Sequence, residues 1–219
     1  LMDSLGDDAM ADWFNLARAA DPNVKLFLND YNILSAGGLD LQHQAHYEKT
    51  IRFLLDRKAP IGGIGMQGHF AGQLTPPERM LSILDRFAAL GLDIEITEFD
   101  ADIDDEQLQA DFTRDFYTTA FSHPAVTGVL MWGFWEGRHW LPNGAMIRRD
   151  WTSKKMHEVW RELVYKTWWT DIRTQALSGG VKVRGFLGEY EVTAKAQGKT
   201  ATEWLFLSEE GAKVTIRLE

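Results

Sequence analysis

The chain has 219 residues, of which 45% are hydrophobic, enough apolar surface for one ordinary core and at most a small second module. A formal net charge of −9 and a sequence pI near 5.2 argue against a phosphate-backbone binder, which needs clustered Lys and Arg, so no nucleic acid partner is expected. There are no cysteines, which excludes disulfides, thiolate metal sites and thiol nucleophiles, and neither a metal nor any other cofactor is expected.

In chain order, DDAMADWFNLARAA (7–20) places Met10, Trp13, Leu16 and Ala20 at helical spacing, predicting an amphipathic helix stopped at Pro22. VKLFLND is strand-like with a polar end, and GGLDLQHQAHYEKTIRFLLDR reads as a helix through Tyr47, Ile51 and Leu54 or Leu55. IGGIGMQGHF reads as a buried strand, followed by a helix in TPPERMLSILDRFAAL whose start carries a Thr75–Glu78 capping box with Pro76 at a tolerated position. LDIEITEFD is the third strand, with Ile94, Ile96 and Glu98 expected on one face and Glu95 on the other. DDEQLQADFTRDFYTTAF is the next helix, striped by Leu108, Phe112 and Phe116. AVTGVLMWGFW is a fourth strand and SKKMHEVWRELVYKTWW a closing helix.

Four strand–helix units with strands apolar on both faces predict a parallel sheet covered by helices, over residues 1–169. From residue 170 the texture changes. Val181–Val183, Tyr190–Val192–Ala194 and Val214–Ile216–Leu218 alternate between Gly-containing turns, predicting a small antiparallel β module, a sandwich or part of one, over 170–219. No stretch approaches the roughly 18 apolar residues of a membrane span, so no membrane partner is expected. The opening LMDSLGDDAM lacks the basic and apolar regions of a signal peptide.

Polar residues gather at the strand C-terminal ends: Asn29 and Asp30, Gln67 and His69, Glu98 and Asp100, then Trp132. That edge holds the active sites of parallel α/β folds. A buried carboxylate without partners costs several kcal/mol, so Glu98 needs neighbours. His69 is placed to hydrogen-bond it and Asp100 to orient that histidine, which keeps a nucleophilic oxygen ionised and aimed. Of nine tryptophans, seven crowd into residues 132–169, which fits either core filling or a platform on which sugar rings stack. A nucleotide site is a weaker reading of IGGIG, because a phosphate loop runs G-x-G-x-x-G straight into a helix and here a strand end with a histidine follows.

The ordered series LFLNDYNI, GIGMQGHF, IEITEFD and VLMWGFWEGRHW resembles the second half of the family 10 glycoside hydrolases, the endo-β-1,4-xylanases, over about residues 5–167. WGFWEG together with RGFLGEYEV is similar to a plant-like branch with an appended C-terminal β segment. The resemblance implies a (β/α)8 barrel of which this chain carries about strands 5–8, hydrolysing xylan or xylo-oligosaccharide with retention, outside the cell and without a cofactor. It implies Glu98 as nucleophile, His69 and Asp100 as its hydrogen-bonding support, and Asn29, Gln67 and Tyr31 near the sugar bound there. Trp132 then floors that subsite and Trp140 is a second stacking residue, while Glu136 takes no catalytic role.

A retaining glycosidase needs a second carboxyl group, in this family within a W-D-V-V-N-E type motif. No such motif occurs in these residues, so the acid/base is expected upstream of residue 1, and Glu95 and Asp30 are not expected to replace it. The missing N-terminal half-barrel, or a second copy of this chain, is therefore an expected partner. The alternative is a noncatalytic xylan-binding protein of the same fold.

Overall fold

A computed structural model describes residues 2–177 and 180–218. They fall into two compact units, Leu1–Trp160 and Arg161–Glu219.

The first unit opens with a short helix α1 (Met2–Leu5) and α2 (Asp8–Ala20), then alternates strand and helix: β1 (Phe27–Asp30), α3 (Leu41–Asp56), β2 (Gly63–Met66), β3 (His69–Ala71), α4 (Pro77–Ala88), β4 (Asp93–Asp102), α5 (Glu106–Ser122), β5 (Val126–Met131) and most of α6 (Lys155–Glu162). The strands pair in parallel in the order β1-β2-β4-β5, with β3 continuing along β4 beyond the end of β2. IGGIGMQGHF is thus two strands, not one. The break falls at Gln67–Gly68, where Gly68 takes φ +84 and a side-chain methyl would press within 2.7 Å of Ile96 Cγ2.

One sheet face carries Ile64, Met66, Ile94 and Ile96, all fully buried under the helices. Tyr47 and Ile51 of α3, Met80 and Phe87 of α4, and Phe112 and Phe116 of α5 fill the layer against it. Tyr47 also satisfies two strand carbonyls, donating from its hydroxyl within 2.7 Å of Leu28 O and 2.9 Å of Gly65 O, and burial pushes that phenol far above its ordinary value. Leu108, expected in the α5 stripe, is exposed instead, because the buried side of α5 runs through Gln109, Phe112, Thr113 and Phe116.

Two local expectations change. The Thr75–Glu78 capping box does not form: the N-cap is Pro76, and the Thr75 hydroxyl donates to Leu34 O at 2.5 Å. Side-chain caps appear at α3, where Asp40 accepts from the His43 amide, and at α5, where Asp105 accepts from Gln107 and Leu108, which lowers the Asp105 pKa. Helix α2 forms as expected but Trp13 and Leu16 lie exposed and Ala11 is its one buried residue, so the predicted apolar stripe has no cover among the described residues.

In the second unit, β6 (Gly188–Ala196) and β7 (Lys199–Leu207) form one antiparallel hairpin, from Gly188↔Leu207 to Ala196↔Lys199. Gln197 and Gly198, both at positive φ, make its two-residue turn. Tyr190, Val192 and Ala194 share the less exposed face as the alternation predicts. Val181, Val183 and the 214–218 segment pair with no ladder among the described residues, where the strands of the β module form this one hairpin. No helix among the described residues is long and apolar enough to cross a membrane.

Candidate active site

The parallel register sets Asn29, Gly65, Glu95 and Gly128 in one row across the sheet, on the face opposite the helices. The next residue of β4 on that face is Thr97, whose hydroxyl donates to Asn29 Oδ1 at 2.8 Å. Simple alternation would then turn Glu98 toward the helices with Ile94 and Ile96. An extra residue prevents this.

Between the pairs Ile96↔Met66 and Asp100↔His69, three residues of β4 oppose the two residues Gln67 and Gly68. On the other side, two residues of β4 between Ile96↔Val129 and Phe99↔Met131 oppose Leu130 alone. This β-bulge shifts the phase of the strand: Phe99 enters the helical core where Glu98 was due, and Glu98 joins Thr97 on the open face. The expectation that Glu98 shares a face with Ile94 and Ile96, and that Glu95 lies opposite, is therefore corrected. Glu95 is on the Asn29 face, in the same row as Asn29, with its stem beside Gly128.

The bulged Glu98 is held from several sides. Its amide donates to Gln67 O at 2.8 Å; Oε1 accepts from Asn29 Nδ2 at 3.2 Å; Oε2 lies 3.1 Å from His69 Nε2. His69 Nδ1 in turn lies 3.0 Å from Asp100 Oδ2, close enough for an ion pair but off the line of a good hydrogen bond. The Asp100 side chain is wholly buried and also accepts from Trp140 Nε1 at 2.7 Å. The carbonyl of His69 is fixed by the Ser35 hydroxyl, 2.5 Å away.

Two indoles flank the histidine edge-on, Trp132 with ring centroids 5.9 Å apart and Trp140 at 5.1 Å, and both are more than half exposed. Six of the eight expected site residues thus form one linked group: Glu98, Asp100, Trp132 and Trp140 around His69, with Asn29 joined through Glu98. The other two contribute differently. Gln67 acts through its backbone, while the exposed Tyr31 packs on His43, whose Nε2 is 3.2 Å from Asp30 Oδ2. Glu136 accepts from the Arg149 amide. Sequence reasoning passed over His139, buried behind Asp100 with Nε2 3.8 Å from Oδ2; its one signal was adjacency to Trp140 in GRHW. Burial holds its pKa below the ordinary value, outweighing the opposite pull of Asp100. Among the described residues no group of three or more His, Asp or Glu is arranged to hold a metal ion.

A half-buried carboxylate held by a histidine that a buried aspartate backs, with exposed indole faces beside it, suits the aiming of an anionic oxygen at a neutral, ring-shaped substrate. Comparison with known proteins points the same way. The family model described as Glycosyl hydrolase family 10 matches residues 1–157. The chain is 36% identical over 201 residues to the anti-sigma-I factor RsgI6 of Acetivibrio thermocellus, covering 89% of this chain and 25% of that protein. It is 35% identical over 196 residues to endo-1,4-beta-xylanase 2 of Arabidopsis thaliana, covering 87% of this chain and 18% of that protein. Matches of that coverage necessarily run past residue 157, so part of the C-terminal segment is shared with these relatives. Among solved structures, xylanase 10B from Thermotoga petrophila RKU-1 in complex with xylobiose aligns with a TM-score of 0.65 at 26% identity, over 74% of this chain and 53% of that one. The chain spans a quarter or less of the length of these two curated relatives and about half of the solved xylanase. It belongs to glycosyl hydrolase family 10, and its parallel sheet is part of a (β/α)8 barrel.

Proposed function

We propose that this chain supplies the nucleophile half of a retaining endo-1,4-β-xylanase, with Glu98 attacking the anomeric carbon of a β-1,4-linked xylosyl unit. The observation that carries this reading is the bulge-directed placement of Glu98, gripped by Asn29 and His69 at the C-terminal edge of the sheet beside two exposed indoles. Attack forms a glycosyl ester on Glu98 as the glycosidic C–O bond breaks, and water then cleaves the ester with net retention. Asp100 keeps His69 in place, and Trp132 and Trp140 offer faces for pyranose stacking.

The leaving oxygen needs a proton from a second carboxyl group about 5 to 5.5 Å from the first. Among the described residues, the side chains within hydrogen-bond or ion-pair reach of the Glu98 carboxylate are Asn29 and His69. Asp100 lies behind His69, and Asp30 is engaged with His43. We assign the acid/base to the other half of the barrel, contributed by the same protein or by a partner, and infer action outside the cell, where polymeric xylan is found.

An activated 2-fluoro-xylobioside whose leaving group departs without a proton tests the reading, because it needs the nucleophile alone. Intact-mass and peptide analysis is expected to find one glycosyl adduct, on Glu98. A protein that binds xylan but forms no adduct is instead a noncatalytic binding module, a reading kept because the relative in Acetivibrio thermocellus is named as an anti-sigma factor.

Gly65 gives a second test. A methyl there would come within 2.6 Å of Asn29 Oδ1, so Gly65→Ala drives Asn29 away from Glu98. Trapping is expected to slow by about tenfold, the scale of one hydrogen bond to a charged group, in both Gly65→Ala and Asn29→Ala. In the double variant the two losses should not add. Additive losses would show that Gly65 acts by another route.

A further inference from the structure

His139 is a buried titratable group at the site that the proposed chemistry does not use. Two glycines form its slot: a methyl on Gly133 would come within 3.0 Å of the ring Cδ2, and one on Gly144 within 3.2 Å of Cε1. The backbone fixes its tautomer. The Leu141 amide donates to Nδ1 at 3.1 Å, so a neutral ring carries its proton on Nε2. That N–H lies 3.8 Å from Asp100 Oδ2, with both side chains wholly buried. Neither His139 Nε2 nor Asp100 Oδ1 has a hydrogen-bond partner among the described residues. The ionisable groups facing the ring are Asp100 from β4, His69 from β3 and Lys154 just before α6, and Lys154 is itself tied to Asn143 O at 2.8 Å. Burial disfavours the charged imidazole and holds its pKa below the ordinary value, against the pull of Asp100.

We propose that His139 is a positioning residue for the Glu98–His69–Asp100 chain: as a neutral Nε2–H imidazole it aims its N–H dipole at Asp100 and holds the carboxylate rotamer that keeps His69 on Glu98. The proposal rests on the reading of Glu98 as nucleophile. Asp100 Oδ2 already receives Trp140 at 2.7 Å and faces His69 at 3.0 Å, so rotation of this carboxylate would release both. A dipole from behind opposes that rotation. An imidazolium at 139 would do the job badly, because it would compete with His69 for Asp100 and set an Nδ1 proton against the Leu141 amide.

Two substitutions separate the two ends of the ring. His139→Asn places an oxygen near the Nδ1 position, keeping the acceptor for Leu141 and losing the donor toward Asp100. His139→Gln places an amide N–H near the Nε2 position, keeping that donor and losing the acceptor. With the intact protein and an activated 2-fluoro-xylobioside, the saturating trapping rate is expected to fall about tenfold in His139→Asn and to stay within about threefold of wild type in His139→Gln. The concentration giving half the maximal rate should be unchanged in both. Equal losses, no loss in either, or the reverse order would overturn the proposal and make His139 a support for the 139–141 backbone. Imidazole ¹⁵N spectra of the wild-type protein give a readout independent of trapping: a neutral Nε2–H ring is expected at pH 7, and an Nδ1–H or doubly protonated ring overturns the proposal whatever the variants do. If the wild-type protein forms no adduct, the nucleophile assignment fails and this role with it, even where the ¹⁵N spectrum is as expected.

Discussion

Replacing Glu98 with alanine is expected to lower the turnover of an activated aryl β-xylobioside by on the order of 10⁴-fold or more, and added azide is expected to restore a large part of it. Alanine removes the attacking oxygen and leaves space beside Asn29 Nδ2 and His69 Nε2, the two groups that hold the carboxylate in the wild-type protein. A small anion fits that environment. Azide entering there attacks the anomeric carbon from the same side as Glu98, forming a C–N bond as the aryl C–O bond breaks. The aryloxide leaves without a proton, so the reaction does not depend on the acid/base assigned to the other half-barrel. Its product should be the α-glycosyl azide, inverted relative to the substrate, as proton NMR would read directly. Glu98→Gln should be equally slow but not rescued, because the amide fills the space. Wild-type turnover in Glu98→Ala, or rescue that gives a β-azide, would remove Glu98 from the role of nucleophile.

The sequence made the strand–helix order legible, because two-residue and 3.6-residue apolar periods survive wherever helices cover a sheet. It also made the site's residue types legible, since carboxylate, histidine, amide and indole side chains all fall at strand ends. Their directions were not legible. Glu98 reaches the open face through one extra residue in β4, and a bulge is a relation between strands that no single strand's alternation records. Trp140, expected as a stacking surface, also holds Asp100 through its ring N–H, a bond that depends on how the 136–141 segment folds back. Likewise, Thr75 had the residue type for a cap, but a carbonyl 41 positions away in sequence took its hydroxyl. The α2 stripe and the 181–183 and 214–218 alternations show the converse: apolar periodicity says that a face can be covered, and not by what.

The bulge has a back as well as a front, and the rings there should matter as much to the site as its polar residues do. Phe99 lies between Glu98 and Asp100 and points the other way, stacked on Phe116 with centroids 4.3 Å apart and planes 18° apart. Phe70, the residue after His69, packs against both rings, at 6.1 Å from Phe99 and 5.2 Å from Phe116. One aromatic cluster therefore anchors the strand segments that carry Glu98, Asp100 and His69. Phe116→Ala is expected to cost about 3–5 kcal/mol by denaturant unfolding, from lost burial and from the cavity left behind. For a chain of this size that corresponds to a fall in Tm of roughly 10 °C. Because the cavity lies directly behind Phe99, trapping of Glu98 should also slow, even at temperatures where the variant is fully folded. Phe87→Ala is the control: Phe87 is just as buried, against Tyr47, with no ring contact to Phe99, so it should lose comparable stability yet keep the wild-type trapping rate. If both variants slow trapping equally, the loss follows stability alone and the aromatic cluster has no special hold on the bulge.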